Sequence, residues 1–88
     1  MQLTLVSSSF CGACERTRSV LNEAVRYLPD ATVTEIDVAS APDAAEALDI
    51  RATPTVIIRD DSGFEVFRAE GVPTIPQVLN AAVRALPD

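Results

Sequence analysis

The chain has 88 residues, with seven basic side chains, all Arg, against 13 acidic ones, a formal net charge of −6. That length suits one domain spanning residues 1–88 and leaves no room for two, and a 48% hydrophobic content excludes a disordered tail. The charge argues against nucleic acid or an anionic membrane as partner, because the seven arginines are scattered rather than clustered. With no His and no Lys, a Ser-His-Asp or Cys-His system, a lysine Schiff base and a P-loop lysine are all excluded.

In chain order, Gln2 to Val6 reads as a short buried strand. Met1-Gln2-Leu3-Thr4 has neither a basic region nor a long apolar stretch, so no secretory signal is expected and the cytoplasm is the expected location. Ser7-Ser8-Ser9 is a polar break. From Cys11 to about Leu28, apolar residues recur at three- and four-residue steps, the pattern of an amphipathic helix stopped by Pro29-Asp30. Thr32 to Val38 is β-branched and alternating, hence a strand. Ser40-Ala41-Pro42-Asp43 opens a short helix to about Asp49, with the Ser40 hydroxyl as its cap. Thr55 to Arg59 and Phe64 to Ala69 flank the turn Asp60-Asp61-Ser62-Gly63, a hairpin. Thr74-Ile75-Pro76-Gln77 is a capping box, and Ile75, Val78, Leu79, Ala82, Val83 and Leu86 mark a final helix.

The order is β-α-β-α-β-β-α, an α/β domain with a mixed sheet of about four strands and helices on both faces. Two parallel connections through right-handed helical crossovers are expected, with the hairpin adding an antiparallel edge. Reactive groups gather at the carboxyl ends of parallel strands, where helix N-termini also point.

Cys11-Gly12-Ala13-Cys14 stands in that place. A two-residue spacing at a helix start brings two sulfurs to disulfide range, one at the tip and one turned inward. The unsatisfied N–H groups and positive dipole end favour thiolate at the first. Cys11 is therefore the candidate nucleophile and Cys14 the resolving thiol. The competing readings are half of a zinc site, completed by Asp or Glu or shared between two chains, and a pair of unreactive structural thiols; no second CxxC and no His complete the zinc site. Glu15 is a first-turn acid suited to the dipole, with a proton shuttle as its other possible role.

Arg51-Ala52-Thr53-Pro54-Thr55 precedes the third strand, 40 positions after Cys14 at Pro54. In this loop, in Phe10-Cys11-Gly12-Ala13-Cys14 and in the late Gly71, the sequence resembles the thioredoxin family. The resemblance runs from Leu3 to Leu86, without the strand and helix that open full-length thioredoxins, so it is closest to a minimal, glutaredoxin-sized member. It implies a cis Thr53–Pro54 bond and a substrate-binding set of Phe10, Gly12, Ala13, Ala52, Thr53, Pro54, Gly71 and Val72. It also implies that the Thr53 backbone pairs with a client's extended chain.

The implied activity is a thiol–disulfide oxidoreductase reducing protein disulfides, as a monomer. No cofactor or metal is bound, and electrons come from NADPH through a thioredoxin-reductase-like enzyme or from a small thiol. The alternatives are a glutaredoxin-like protein using a small thiol and a metal or iron–sulfur binding module on the same cysteines. Three departures stand out: Phe10 where thioredoxins carry Trp, Ala13 in place of the usual Pro, and Leu5 at the position of a buried carboxylate. No substitute for that carboxylate is evident in the sequence.

Overall fold

The structure, a computed structural model, describes residues 1–87. Its elements are β1 (Gln2–Ser7), α1 (Gly12–Ala24), β2 (Thr32–Asp37), α2 (Pro42–Ala47), β3 (Thr55–Arg59), β4 (Glu65–Glu70) and α3 (Ile75–Val83). The four strands form one mixed sheet in the order β2-β1-β3-β4.

α1 forms because its buried residues, Cys14, Thr17, Leu21 and Ala24, recur on one side of a helical turn. It is shorter than its periodicity predicts. After Ala24 the chain tightens into a 3₁₀ turn over Val25–Tyr27, and the Leu28 N–H bonds back to the Val25 carbonyl at 3.1 Å. Pro29, with no N–H, cannot extend the helix beyond it. α3 starts as its sequence predicts. The Thr74 hydroxyl accepts the Gln77 N–H at 3.2 Å, and the Gln77 side-chain oxygen accepts the Thr74 N–H at 2.8 Å. At α2 the expected cap is corrected: the capping position is Ala41, without a side-chain bond. The Asp37 carboxylate takes the Ala39 and Ser40 N–H groups instead, because a turn closes there before the helix begins.

Strand direction also differs from expectation. β1 and β2 are parallel, but β3 runs antiparallel to β1, with Val6 opposite Thr55 and Gln2 opposite Arg59. There is one parallel connection, not two. β2 ends beside Ser7, at the same sheet end where β3 begins, so the link through α2 needs only a sideways step. Its six residues rise about 9 Å, and do not return the chain along a strand of roughly 20 Å.

The main core lies between one sheet face and the α1/α3 layer. Leu3 and Leu5 of β1, Val56 and Ile58 of β3, Leu21 and Ala24 of α1, and Val78, Ala81 and Ala82 of α3 form one buried cluster. Burying each Leu or Ile side chain contributes about 1.5–3 kcal/mol. Alternation sends Thr4, Val6, Thr55 and Ile57 to the opposite face, where they too are buried. Arg68, the register partner of Ile57, donates from that face to the Leu48 carbonyl at the end of α2. Helices therefore flank both faces. No described helix is long and apolar enough to cross a membrane.

Candidate active site

The β1–α1 loop, the segment before β3 and the segment after β4 meet at one end of the sheet. The register requires this: Ser7 ends β1, Thr55 begins β3 opposite Val6, and Glu70 ends β4 opposite Thr55. Three short, sequence-distant stretches thus share one rim.

Cys11 and Cys14 are joined in a disulfide, with Cα atoms 5.2 Å apart. Cys11 is the N-cap of α1, with extended backbone, and its Sγ accepts the Cys14 N–H at 3.0 Å. Once the bond is reduced, that N–H and the helix N-terminus favour charge on the Cys11 sulfur. The two positions differ sharply in access. Cys14 is 1% exposed while Cys11 is only half-buried, so an incoming disulfide meets Cys11 first.

Phe10 immediately precedes the pair, fully exposed and in the left-handed backbone region at φ 56°. Gly12 is exposed, and a side chain there would meet only ordinary contact with Arg16. Ala13 is half-buried, its carbonyl accepting the Thr17 hydroxyl at 2.8 Å.

Ala52 is exposed, Thr53 half-buried and Pro54 buried, and the Thr53–Pro54 peptide is cis. The Pro54 carbonyl accepts the Gly71 N–H at 2.9 Å. Gly71 has φ 90°, a conformation other residues adopt only under strain, and it delivers Val72, 40% exposed, to the rim. Of the eight residues expected to bind substrate, Phe10, Ala52, Thr53, Pro54, Gly71 and Val72 lie on the three segments that share this rim, and Gly12 and Ala13 open α1 beside them. Beside the Pro54 segment an open cleft of about 380 Å³ is lined by Asp49, Arg51, Thr55, Arg68 and Glu70.

Two features were not anticipated. The Ser8 and Thr53 hydroxyls are hydrogen-bonded at 2.7 Å, a direct tie between the cysteine loop and the Pro54 loop. Ser8 belongs to a serine run that reads only as a break, and nothing local indicates its partner 45 residues away. Second, Leu5 is buried in the core, and its register partner on β2 is Glu35. The Glu35 carboxylate is gripped by Arg18, Nε to Oε1 and Nη2 to Oε2 both at 2.7 Å. It also accepts the buried Ser7 hydroxyl at 2.7 Å. The hydrogen bonds from the Arg18 guanidinium lower the Glu35 carboxyl from its ordinary value; partial burial opposes them, and the Ser7 hydroxyl adds a smaller lowering. Glu15 is exposed at the surface of α1. Among the described residues, no group of three or more His, Cys, Asp or Glu side chains is placed to hold a metal ion.

The family model described as Thioredoxin matches residues 2–84. A thioredoxin of Chlamydia trachomatis serovar D is 34% identical over 65 residues, 74% of this chain and 63% of that protein. The match thus spans under two thirds of the curated relative's length. Thioredoxin 1 from the thermophilic eubacterium Thermosipho africanus superposes with a TM-score of 0.82 at 25% identity, covering 96% of this chain and 92% of its own. Mitochondrial thioredoxin 3 from Saccharomyces cerevisiae, with a TM-score of 0.78 and 24% identity over 97% and 77% of the two chains, shares the fold.

Proposed function

We propose, since the chain belongs to the thioredoxin family, that it is a thiol–disulfide oxidoreductase acting on protein disulfides through Cys11 and Cys14. The observation that carries this reading is the cysteine disulfide capping α1, with one sulfur accessible and one buried.

In the reduced protein, the Cys11 thiolate attacks a client disulfide. A Cys11–client bond forms, the client bond breaks, and one client sulfur leaves as thiolate. Cys14 then attacks Cys11 Sγ, closing the Cys11–Cys14 bond and releasing the second client sulfur. Two electrons pass to the client, and a reductase or small thiol outside the chain restores the pair.

A macromolecular client suits the rim. Cys11 stands on an open rim with exposed Phe10 and Val72 on the flanking segments. Phe10, Gly12, Ala13, Ala52 and Val72 form the contact platform, and the Thr53 backbone beside Pro54 offers hydrogen bonds to an extended client segment. Gly71 holds the Pro54 loop from below through its N–H. The reducing direction follows the family, with a reductase or small thiol as electron source and the cytoplasm as compartment.

Trapping tests the reading. Cys14→Ser accumulates a covalent, reductant-sensitive complex with a disulfide client, and Cys11→Ser forms none and loses turnover. A Cys11→Ser protein that still reduces the client would assign the nucleophile elsewhere.

A further inference from the structure

Resolution of the mixed disulfide sets a requirement that the two cysteines do not meet alone. Cys14 is 1% exposed, and a thiol in apolar surroundings keeps its proton. That proton must leave as Cys14 becomes the attacking sulfur. A path to water is needed, and Leu5, fully buried on the same face of the sheet, cannot provide one.

The register supplies a candidate. In a parallel pair, partners share a face, so Leu5 and Ser7 on β1 lie beside Glu35 and Asp37 on β2 under α1. Arg18 confirms the face: it reaches Glu35 from α1 with two bonds of 2.7 Å. Cys14 is one helical turn earlier on the same side of α1, about 6 Å along the axis. Ser7 is two strand residues beyond Leu5, about 6.6 Å along β1. α1 runs back over the strand it follows, so ideal rises along helix and strand put Cys14 near the level of Ser7. Ser7 is itself 2% exposed, and its hydroxyl proton is committed to Glu35 Oε2 at 2.7 Å. Its lone pairs are what it can offer to a thiol.

We propose that Ser7 and Glu35 form the exit path for the Cys14 proton, with Arg18 positioning the carboxylate. This rests on the oxidoreductase reading above. As Cys14 attacks Cys11, its proton passes to Ser7 Oγ while the hydroxyl proton of Ser7 passes to Glu35 Oε2. The Cys11–Cys14 bond forms, the Cys11–client bond breaks, and its electron pair leaves on the client sulfur. Glu35, with 35% of its side-chain surface exposed, returns its proton to water, which protonates the departed thiolate.

The surrounding charges fit such a path. Arg18 keeps Glu35 in its proton-accepting form through the neutral range. Glu15 on α1 acts on Arg18, and Asp37, the neighbouring acid on that side of β2, is occupied by the turn N–H groups of Ala39 and Ser40. From β1 the only polar group on this face at this level is Ser7.

The test isolates the resolving step. A mixed disulfide of Cys11 with 5-thio-2-nitrobenzoate is formed, and release of the coloured thiolate by Cys14 is followed between pH 5 and 9. Wild-type release is expected to vary little below pH 8. Glu35→Gln and Ser7→Ala are expected to slow it by about tenfold to a hundredfold near pH 6, with the loss recovered as pH rises. Ser7→Thr, which keeps the hydroxyl, should restore most of the rate. Attack by Cys11 in the preceding step should not change. Wild-type rates and an unchanged pH profile in both variants would overturn the relay and leave the oxidoreductase reading standing. A wild-type protein that never releases the thiolate would overturn that reading, and the relay with it.

Discussion

Phe10 combines two properties that pull in opposite directions, and replacing it with Gly separates them. Its backbone sits at φ 56°, where an L side chain costs about 1–2 kcal/mol through crowding of Cβ against the following carbonyl. The ring is fully exposed, so its removal sacrifices no folding burial. Glycine relieves the crowding but adds about 0.5–1 kcal/mol of unfolded-state entropy. The balance for Phe10→Gly is a gain of roughly 0.5 kcal/mol, which in a domain of this size raises Tm by about 2–4 °C. The same ring is the largest apolar group beside Cys11. If half of its burial of about 1.5–3 kcal/mol is realised against a client, its loss raises KM roughly fivefold, with the rate at saturation little changed. Thermal unfolding of the oxidised protein and steady-state reduction of a peptide disulfide read the two effects. A variant destabilised by 1 kcal/mol or more would refute the strain argument, and an unchanged KM would remove Phe10 from the client surface.

The Ser8–Thr53 bond is neutral and half-buried, so a double-mutant cycle of Ser8→Ala and Thr53→Val should return a coupling of about 0.5–1.5 kcal/mol in urea unfolding; strict additivity would mean that the loops are not joined there. The Arg18–Glu35 pair predicts an acid dependence with a definite sign. The Glu35 carboxyl is lowered in the folded protein, so its stabilising effect is complete above the unfolded-state value of about 4.3 and fades as pH falls through the lower folded value. Wild type should therefore exceed Glu35→Gln in stability at pH 6 and approach it near pH 3, and a gap that stays constant would contradict the pairing. The pair is partly exposed on both sides, so 0.5 M salt should narrow the gap at pH 6 as well.

Much of the architecture is written locally. The buried stripe of α1, the Thr74–Gln77 capping box and the Asp60–Gly63 turn each depend on side chains within a few residues of one another. Helical periodicity and capping are short-range effects, so their signals survive in the one-dimensional chain. The cysteine spacing belongs to the same class: Cys11 becomes a helix cap because of what lies immediately before and after it. The resemblance that identified the Pro54 loop likewise rests on a short motif next to a strand. Within this local class, helix ends are the weak point. α1 stops at Ala24 and not at Leu28, because its last apolar residues pack equally well from a 3₁₀ turn.

Tertiary structure decided what depends on residues far apart in sequence. The sequence of β3 carries the same apolar centre whether the strand runs parallel or antiparallel, and only pairing with β1 selects its direction. Val33, Glu35 and Asp37 alternate as any strand would, and no local signal says that this row faces α1 or that Glu35 lies opposite Leu5. Ser8 finds Thr53, and Ser7 finds Glu35, only when three strands bring their ends to one rim. The composition and motifs of this chain determine that it is an α/β domain with a reactive cysteine pair at a helix start. Its proton path and the spacing of its loops are set by strand register, because a hydroxyl or carboxylate bonds within about 3 Å and only the folded sheet brings such distant residues that close.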